Sequence, residues 1–281
     1  MRSFIKSALL PLFLLVPFSG AAAPSQQPAP LPVAQCQQFL PYGTPVAVGT
    51  ADTALICRNA YVLLSDENNK VPRWVAYTLA PEHAIGCVER SNAFAADQSL
   101  PKGKRADPKD YVASGFDIGH MAPDGDMSWD DGVEHQSFIL TNMSPQLGHL
   151  NRGIWKLLES DVRAWDYQRH HTELIYVGPI YDPEFDPTIG DDKVIVPHAF
   201  FKIVIDMETK ETLAFIFQKE GVQGNDLTPL QRRVADIEAL TSITFPLPPG
   251  VKDTDSPAPL WPVSLGAFTK AKKAQCHGKG D

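Results

Sequence analysis

The sequence predicts an α+β fold, a central, mostly antiparallel sheet flanked by helices. Three observations predict it. Short runs rich in β-branched and aromatic residues recur along the chain, ETKET (208–212) stands as a turn between two of them, and only two stretches space their apolar residues as a helix does. Alternation of strands with helices, the mark of a parallel sheet, is absent.

Taken in order, the strand-like runs are RWVAYTL (73–79), SFILTNM (137–143), ELIYVGPIY (173–181), VIVPHAFFKIVID (194–206) and TLAFIFQ (212–218). The last two, joined by ETKET, form an antiparallel hairpin. The first helix spans 150–168, where Ile154, Leu157, Leu158, Val162 and Trp165 fall at three- and four-residue spacings and make one apolar stripe. The second spans 228–240, with Thr228 as N-cap and Pro229 at the first helical position.

The chain opens with Arg2 and Lys6, an apolar run from about Ala8 to Phe18 and small residues to Ala23, so residues 1–23 are expected to be a signal peptide. Pro11 and Pro17 interrupt the run, which is shorter than the roughly 18 residues a membrane span needs. Residues 24–35, rich in Pro, Gln and Ala, are expected to be a disordered leader, and 36–281 one domain without repeats or internal linker. An exported chain is periplasmic or extracellular, with no membrane contact once the signal is removed.

Four cysteines without CxxC spacing favour two disulfides over a zinc site. Three connectivities are possible. Cys36 with Cys57 and Cys87 with Cys276 is the favoured pairing, the second fastening the C-terminal tail to the body. The net charge of −8 becomes −10 when Arg2 and Lys6 leave with the signal, which argues against a protein that coats nucleic acid by charge alone. Basic residues do cluster, in KGKRADPK (102–109), at Arg152, Lys156, Arg163 and Arg169, and in the tail, and such runs are commonly solvated surface.

The densest polar cluster is SGFDIGHMAPDGDMSW (114–129), followed by TNMSPQLGHLNRGIWKLLES (141–160). A lone histidine carries little weight. A strand with histidine, a second strand and a helix with asparagine together make a metal-site unit. These segments resemble the DNA/RNA non-specific endonuclease family, the ββα-metal nucleases, whose signature runs D-R-G-H-x-x-P and then N-x-x-P-Q…N-x-x-x-W-x-x-L-E. The matching positions are Asp117, Gly119, His120 and Pro123, then Asn142, Pro145, Gln146, Asn151, Trp155, Leu158 and Glu159. WVAYTL with Arg90 downstream, VGPIY, VPHAFFK and IEALTSITF extend the resemblance over most of the chain.

Hydrolysis of a phosphodiester needs an activated water, charge stabilisation on the phosphate and help for the departing 3′ oxygen. His120, whose ordinary pKa is roughly 6.5, suits the general base. Asn151 offers a hard neutral oxygen for Mg²⁺, or Mn²⁺ in its place. Glu159, eight residues on along one helix, lies about 12 Å further and about 80° round, so it is expected to reach the metal through water. The bland alternative is a surface salt bridge with Lys156 or Arg163.

Asn142 and Gln146 are supporting residues, each equally readable as structural. Asp117, three residues from His120 along a strand, points to the opposite face and is expected to secure the loop. Where the family places a phosphate-contacting arginine this chain has Ile118, the largest departure from the pattern. Arg90 corresponds best to a second family arginine that serves the transition state, and Arg152 or Lys156 could supply substrate-binding charge lost at Ile118.

The expected function is an exported, Mg²⁺-dependent, non-specific endonuclease. The resemblance implies 5′-phosphate products, with DNA and RNA as substrates, and the sequence leaves open a protein inhibitor as a further partner. The alternative is a catalytically weakened nuclease fold that binds nucleic acid or serves the envelope. A phosphatase acting on small esters would need denser metal ligands than the sequence contains.

Overall fold

The computed structural model describes residues 27–49, 52–251 and 258–276, so the expected signal peptide lies outside the described residues. A 3-10 helix (Val33–Phe39) leads into β1 (Val46–Ala47), β2 (Thr53–Cys57), β3 (Val62–Asp66) and β4 (Val71–Leu79). The middle of the chain forms β5 (Asp117–His120), α1 (Asp124–Met127), α2 (Asp131–Ser137), β6 (Met143–Gln146), α3 (Gly148–Asn151) and α4 (Ile154–Arg169). Next come β7 (Glu173–Ile180), β8 (Thr188–Ile189), β9 (Val194–Ile195), β10 (Ala199–Asp206) and β11 (Thr212–Gln218). The chain finishes with α5 (Val234–Thr241), β12 (Ile243–Thr244) and α6 (Leu265–Gln275).

Six strands pair antiparallel in the order β11-β10-β7-β4-β3-β2, which is the α+β architecture expected. Successive side chains of a strand point to opposite faces, so the sheet has two apolar faces. Tyr77, Val177, Phe200, Val204, Phe215 and Phe217 face one core, where the α4 stripe of Ile154, Trp155, Leu158, Val162 and Trp165 covers them. Trp74, Tyr176, Phe201 and Ile203 face the other, with Phe39, Ile237 and Phe245. Lys202 falls on the α4 face because it shares the parity of Phe200 and Val204. Each outer strand of the sheet carries one further backbone bridge. Leu31 bridges to Cys57 on β2, and Gln231 bridges to Phe215 on β11.

Several expectations are corrected. SFILTNM is not a strand: Phe138, Ile139 and Asn142 donate their N–H groups to the carbonyls of His135, Gln136 and Ile139, so the segment turns, and β6 begins only at Met143. A continuous apolar run reports burial, which a turn satisfies as well as a strand does. The long run 194–206 breaks into β9 and β10 around Pro197, which has no N–H for a ladder. The helix expected over 228–240 is a 3-10 turn (Thr228–Leu230) and then α5, because Gln231 and Arg232 leave it to pair with β11, Arg232 N–H donating to Ala214 O at 2.8 Å. Within the expected disordered leader, residues 27–35 are ordered. Pro28 O accepts from Arg58 Nη1 at 3.0 Å, Leu31 N–H donates to Cys57 O at 2.9 Å, and Val33 starts the first helical turn.

The favoured disulfides form, Cys36–Cys57 and Cys87–Cys276, with Cα atoms 5.9 and 5.3 Å apart. The second binds α6 to the segment after β4. No described helix is long and apolar enough to cross a membrane.

Asp166, in the last turn of α4, is fully buried, and neither carboxylate oxygen finds a hydrogen-bond partner among the described residues. Burial, reinforced by Asp126, pushes its pKa up to about 9 from 3.8. A carboxyl raised on folding stabilises in its protonated form. That stability is complete below 3.8 and is lost as pH rises towards 9. Asp166→Asn is therefore expected to gain on the wild type steadily in Tm as pH rises between those two values; a difference that stays constant with pH would exclude this origin.

Candidate active site

β5 and β6 pair antiparallel, Asp117 opposite Gln146 and His120 opposite Met143. Gly119 is required here, since a Cβ would stand 2.1 Å from Gln146 Oε1, which lies across the strand. Just beyond His120 the chain is clamped by Asn142. Its Oδ1 accepts from Ala122 N–H at 2.9 Å, its Nδ2 donates to Ala122 O and Ser137 O at 2.8 Å each, and its carbonyl accepts from Met121 N–H. With its amide fully used and no exposure, Asn142 is structural, the positioning residue for the end of β5. Gln146 is as deeply buried, but neither of its amide atoms has a hydrogen-bond partner among the described residues.

The His120 ring is buried, and its edge meets Phe138 at 4.8 Å between centroids. The Arg90 guanidinium lies 4.8 Å above the same Phe138 ring and pairs with Asp124, the first residue of α1. Burial lowers the His120 pKa to about 3. Asp124 works against that shift and Arg90 adds to it. The imidazole is therefore neutral through the physiological range, with Nε2 buried and unpartnered among the described residues.

At the other end of β5, Asp117 binds the helix that follows β6. Its Oδ2 accepts from Asn151 Nδ2 at 3.0 Å, and Arg152 grips it with two bonds, Nε to Oδ2 at 2.8 Å and Nη2 to Oδ1 at 2.7 Å. The Arg152 bonds first, and that of Asn151 with them, hold the carboxyl below its ordinary range against partial burial. Asp117 thus ties the start of β5 to the end of α3 and orients the Asn151 amide. With Nδ2 committed to Asp117, the Asn151 Oδ1 is the amide atom left for a ligand. Arg152 gives its fork to Asp117 on the surface, and Lys156 is exposed. Ile118 is half-buried and packs with Phe94 and Tyr181 against the cluster of Tyr111, Met143 and Ile195.

Asn151 and Glu159 do not lie on one continuous helix, contrary to expectation. The backbone breaks at Gly153, with φ −104° and ψ −117°, where a Cβ would meet His149 O at 2.3 Å. The rise and rotation of an unbroken helix therefore do not describe their separation. The side chain of Glu159 is 13% exposed, and its expected surface partners do not engage it. Lys156 is exposed, while Arg163 donates to Asp126 Oδ1 at 2.7 Å. Asp126 Oδ2 accepts from Tyr77 at 2.8 Å, which completes a buried knot between α1, α4 and β4. The cation beside Glu159 is Lys202, with Nζ 3.9 Å from Oε1. Burial raises the Glu159 pKa to about 7, with Lys202 and then Arg163 opposing, and Asp126 and Asp124 adding to the rise.

His120, Arg90 and Glu159 are thus joined electrostatically through Asp124, which pairs with Arg90 and raises the pKa of both His120 and Glu159. Sequence reasoning missed Asp124, Asp126, Tyr77 and Lys202. The signal for Lys202 was available, a lysine in the middle of an eight-residue strand that is buried throughout. Tyr77 carried none, being one aromatic in an apolar strand.

Asn151 Oδ1 and the Glu159 carboxylate are each oxygen donors of the kind a hard divalent cation takes. Among the described residues one group of His, Cys, Asp or Glu side chains, His171, Asp206 and Glu208, brings ligand atoms within 4.8 Å of one another. Asp206 there is already committed. Oδ2 takes Arg169 at 2.6 Å and His171 at 2.7 Å, and Oδ1 accepts the N–H groups of Glu208 and Thr209. With Arg169 as its resident cation, this group closes the β10–β11 turn against the end of α4.

The chain matches the DNA/RNA non-specific endonuclease family over residues 41–252. It is 30% identical to human mitochondrial endonuclease G over 197 residues, which is 65% of each chain. It is 29% identical to nuclease C1 of Cunninghamella echinulata var. echinulata over 229 residues, 74% of this chain and 87% of that one. The match spans 65% of the length of the human endonuclease G and 56% of the bovine one. A crystal structure of an EndoG/EndoGI complex superposes with a TM-score of 0.68 at 25% identity, covering 75% of this chain and 91% of that one.

The burial of His120 has a consequence for stability. Its pKa is about 3 when folded against 6.5 for the free group, so below 6.5 the unfolded chain binds a proton that the folded chain does not. Stability from this group is lost as pH falls from 6.5 towards 3. His120→Gln is expected to gain on the wild type over that window in urea unfolding measured at several pH values, and equal pH dependence of the two would contradict a depressed folded pKa.

Proposed function

Since the chain belongs to the DNA/RNA non-specific endonuclease family, we propose that it is an exported, metal-dependent endonuclease that hydrolyses phosphodiester bonds of DNA and RNA and leaves 5′-phosphate ends. One observation carries the reading: a single strand, β5, presents a neutral buried imidazole at one end and, through Asp117, an oriented Asn151 amide at the other. Export to the periplasm or beyond is supported by the amino-terminal sequence and by the two disulfides, which persist in oxidising compartments.

Asn151, through Oδ1, and Glu159, through water, would hold the cation, and the oxygen donors favour magnesium, with manganese as its substitute. When bound, the cation supplies charge neutralisation at the scissile phosphate and at the departing 3′ oxygen. His120 takes the proton of the attacking water, for which a neutral ring is required. Arg90 faces the phosphate with a planar fork that exchanges Asp124 for phosphate oxygens. Asn142 holds the end of β5 that carries the base. Arg152 and Lys156 add surface charge beside Asn151. Contacts of this kind reach the sugar-phosphate backbone and read no base edges, which fits cleavage without sequence preference. Ile118 cannot donate a hydrogen bond to a phosphate, so Arg90 carries that contact.

Plasmid and RNA incubated with the mature chain and Mg²⁺ should be cut, and His120→Ala or EDTA should slow cleavage by about 10²-fold or more. Asn151→Ala should raise the Mg²⁺ concentration for half-maximal rate by roughly tenfold or more, with Asn151→Asp retaining part of the affinity. Wild-type cleavage no faster than His120→Ala would sink the enzyme reading, and binding without cleavage would favour the weakened, nucleic-acid-binding alternative.

A further inference from the structure

Lys202 lies in the middle of β10, paired with Val177 of β7 and Phe215 of β11, where all eight residues of the strand are buried. Its ammonium is fully buried and makes no hydrogen bond among the described residues. It sits 4.8 Å from the centre of the Trp155 ring and 3.9 Å from Glu159 Oε1. Trp155 and Glu159 are one helical turn apart on α4, so the same face presents a π surface and a carboxylate to one cation.

A buried ammonium is costly to desolvate, and the Glu159 carboxylate and the Trp155 ring are what offset that cost here. Three cations stand near the acidic groups here, and two are committed. Arg163 bonds to Asp126, whose second oxygen is taken by Tyr77, and Arg90 pairs with Asp124. Among the described residues Lys202, at 3.9 Å, is the cation paired with Glu159, and Arg163 acts on that carboxylate from further away. At 3.9 Å it attracts the carboxylate without donating a hydrogen bond to it, and no described residue donates one either. Glu159 is thus drawn to a fixed place while its lone pairs stay open.

We propose that Lys202, with Trp155 as its seat, is a positioning residue that holds the Glu159 carboxylate towards the cation site and so sets the affinity for the divalent ion. The proposal rests on the nuclease reading for the role of Glu159, and it can be tested without turnover. Lys202 touches neither substrate nor cation. It acts through Glu159.

The experiment titrates Mn²⁺ into the metal-free full chain by electron paramagnetic resonance, beside Tm and the Mg²⁺ dependence of plasmid cleavage. Lys202→Met is expected to weaken Mn²⁺ binding about 10- to 100-fold and to raise the half-saturating Mg²⁺ by the same factor. Lys202→Arg, which keeps the charge, should stay within a few-fold of wild type. Glu159→Gln should weaken binding by itself, and adding Lys202→Met to it should cost nothing further, because the two act through one carboxylate. Wild-type Mn²⁺ affinity in Lys202→Met overturns the proposal, as does full additivity with Glu159→Gln. If Lys202→Met does not fold, the arginine variant decides, and a loss there as large as that of Glu159→Gln also overturns it. A wild type that binds Mn²⁺ yet cleaves neither DNA nor RNA overturns the nuclease reading instead, while the binding comparison still judges Lys202.

Discussion

The docking of α4 on one face of the six-stranded sheet is the constraint on which the site depends. Ile154, Trp155, Leu158, Val162 and Trp165 form one apolar stripe that meets Tyr77, Val177, Phe200, Val204 and Phe215. Side chains at the borders of that contact have no freedom to choose partners. Glu159 comes down beside the stripe and over Lys202, Arg163 reaches Asp126, and Tyr77 rises from β4 to share Asp126. Charged groups packed against a core this dense must be matched in position, since an unmatched one is expensive to bury. The hydrophobic contact sets the electrostatic arrangement.

A second, smaller device governs the imidazole. Asn142 spends its whole amide on backbone groups of Ala122 and Ser137, so the end of β5 is fixed by three hydrogen bonds from one side chain. Asp117 performs the matching task at the start of the strand, where it ties Asn151 and Arg152. Labour is thereby divided: residues with saturated hydrogen bonding hold the frame, and His120, Gln146 and Lys202 keep unsatisfied polar atoms inside it.

Much of this was legible in the sequence because its signals are local. The α4 stripe, the β10–β11 hairpin and the β5 and β6 motifs all appear in the structure. What escaped depends on contacts between distant segments. Tyr77, Asp126 and Lys202 stand on three separate elements, and nothing in their flanking residues says that they converge. The strands β2 and β3 escaped as well, short and bounded by ordinary turns. The break at Gly153 escaped for the opposite reason, since the apolar spacing runs on through a glycine that the backbone uses to bend. Burial without pairing misled at residues 137–143, where the apolar run is a packed turn.

The bridges at the sheet edges have a further consequence. A strand edge with free N–H and C=O groups is a template on which another chain can grow a strand. Here Leu31 on one side and Gln231 on the other each bridge one residue of an edge strand, Leu31 from the segment read as a disordered leader and Gln231 from the segment read as a helix. Connecting segments rather than strands thus occupy part of each edge, and a change at Leu31 or Gln231 bears on how much of that edge stays open to another chain.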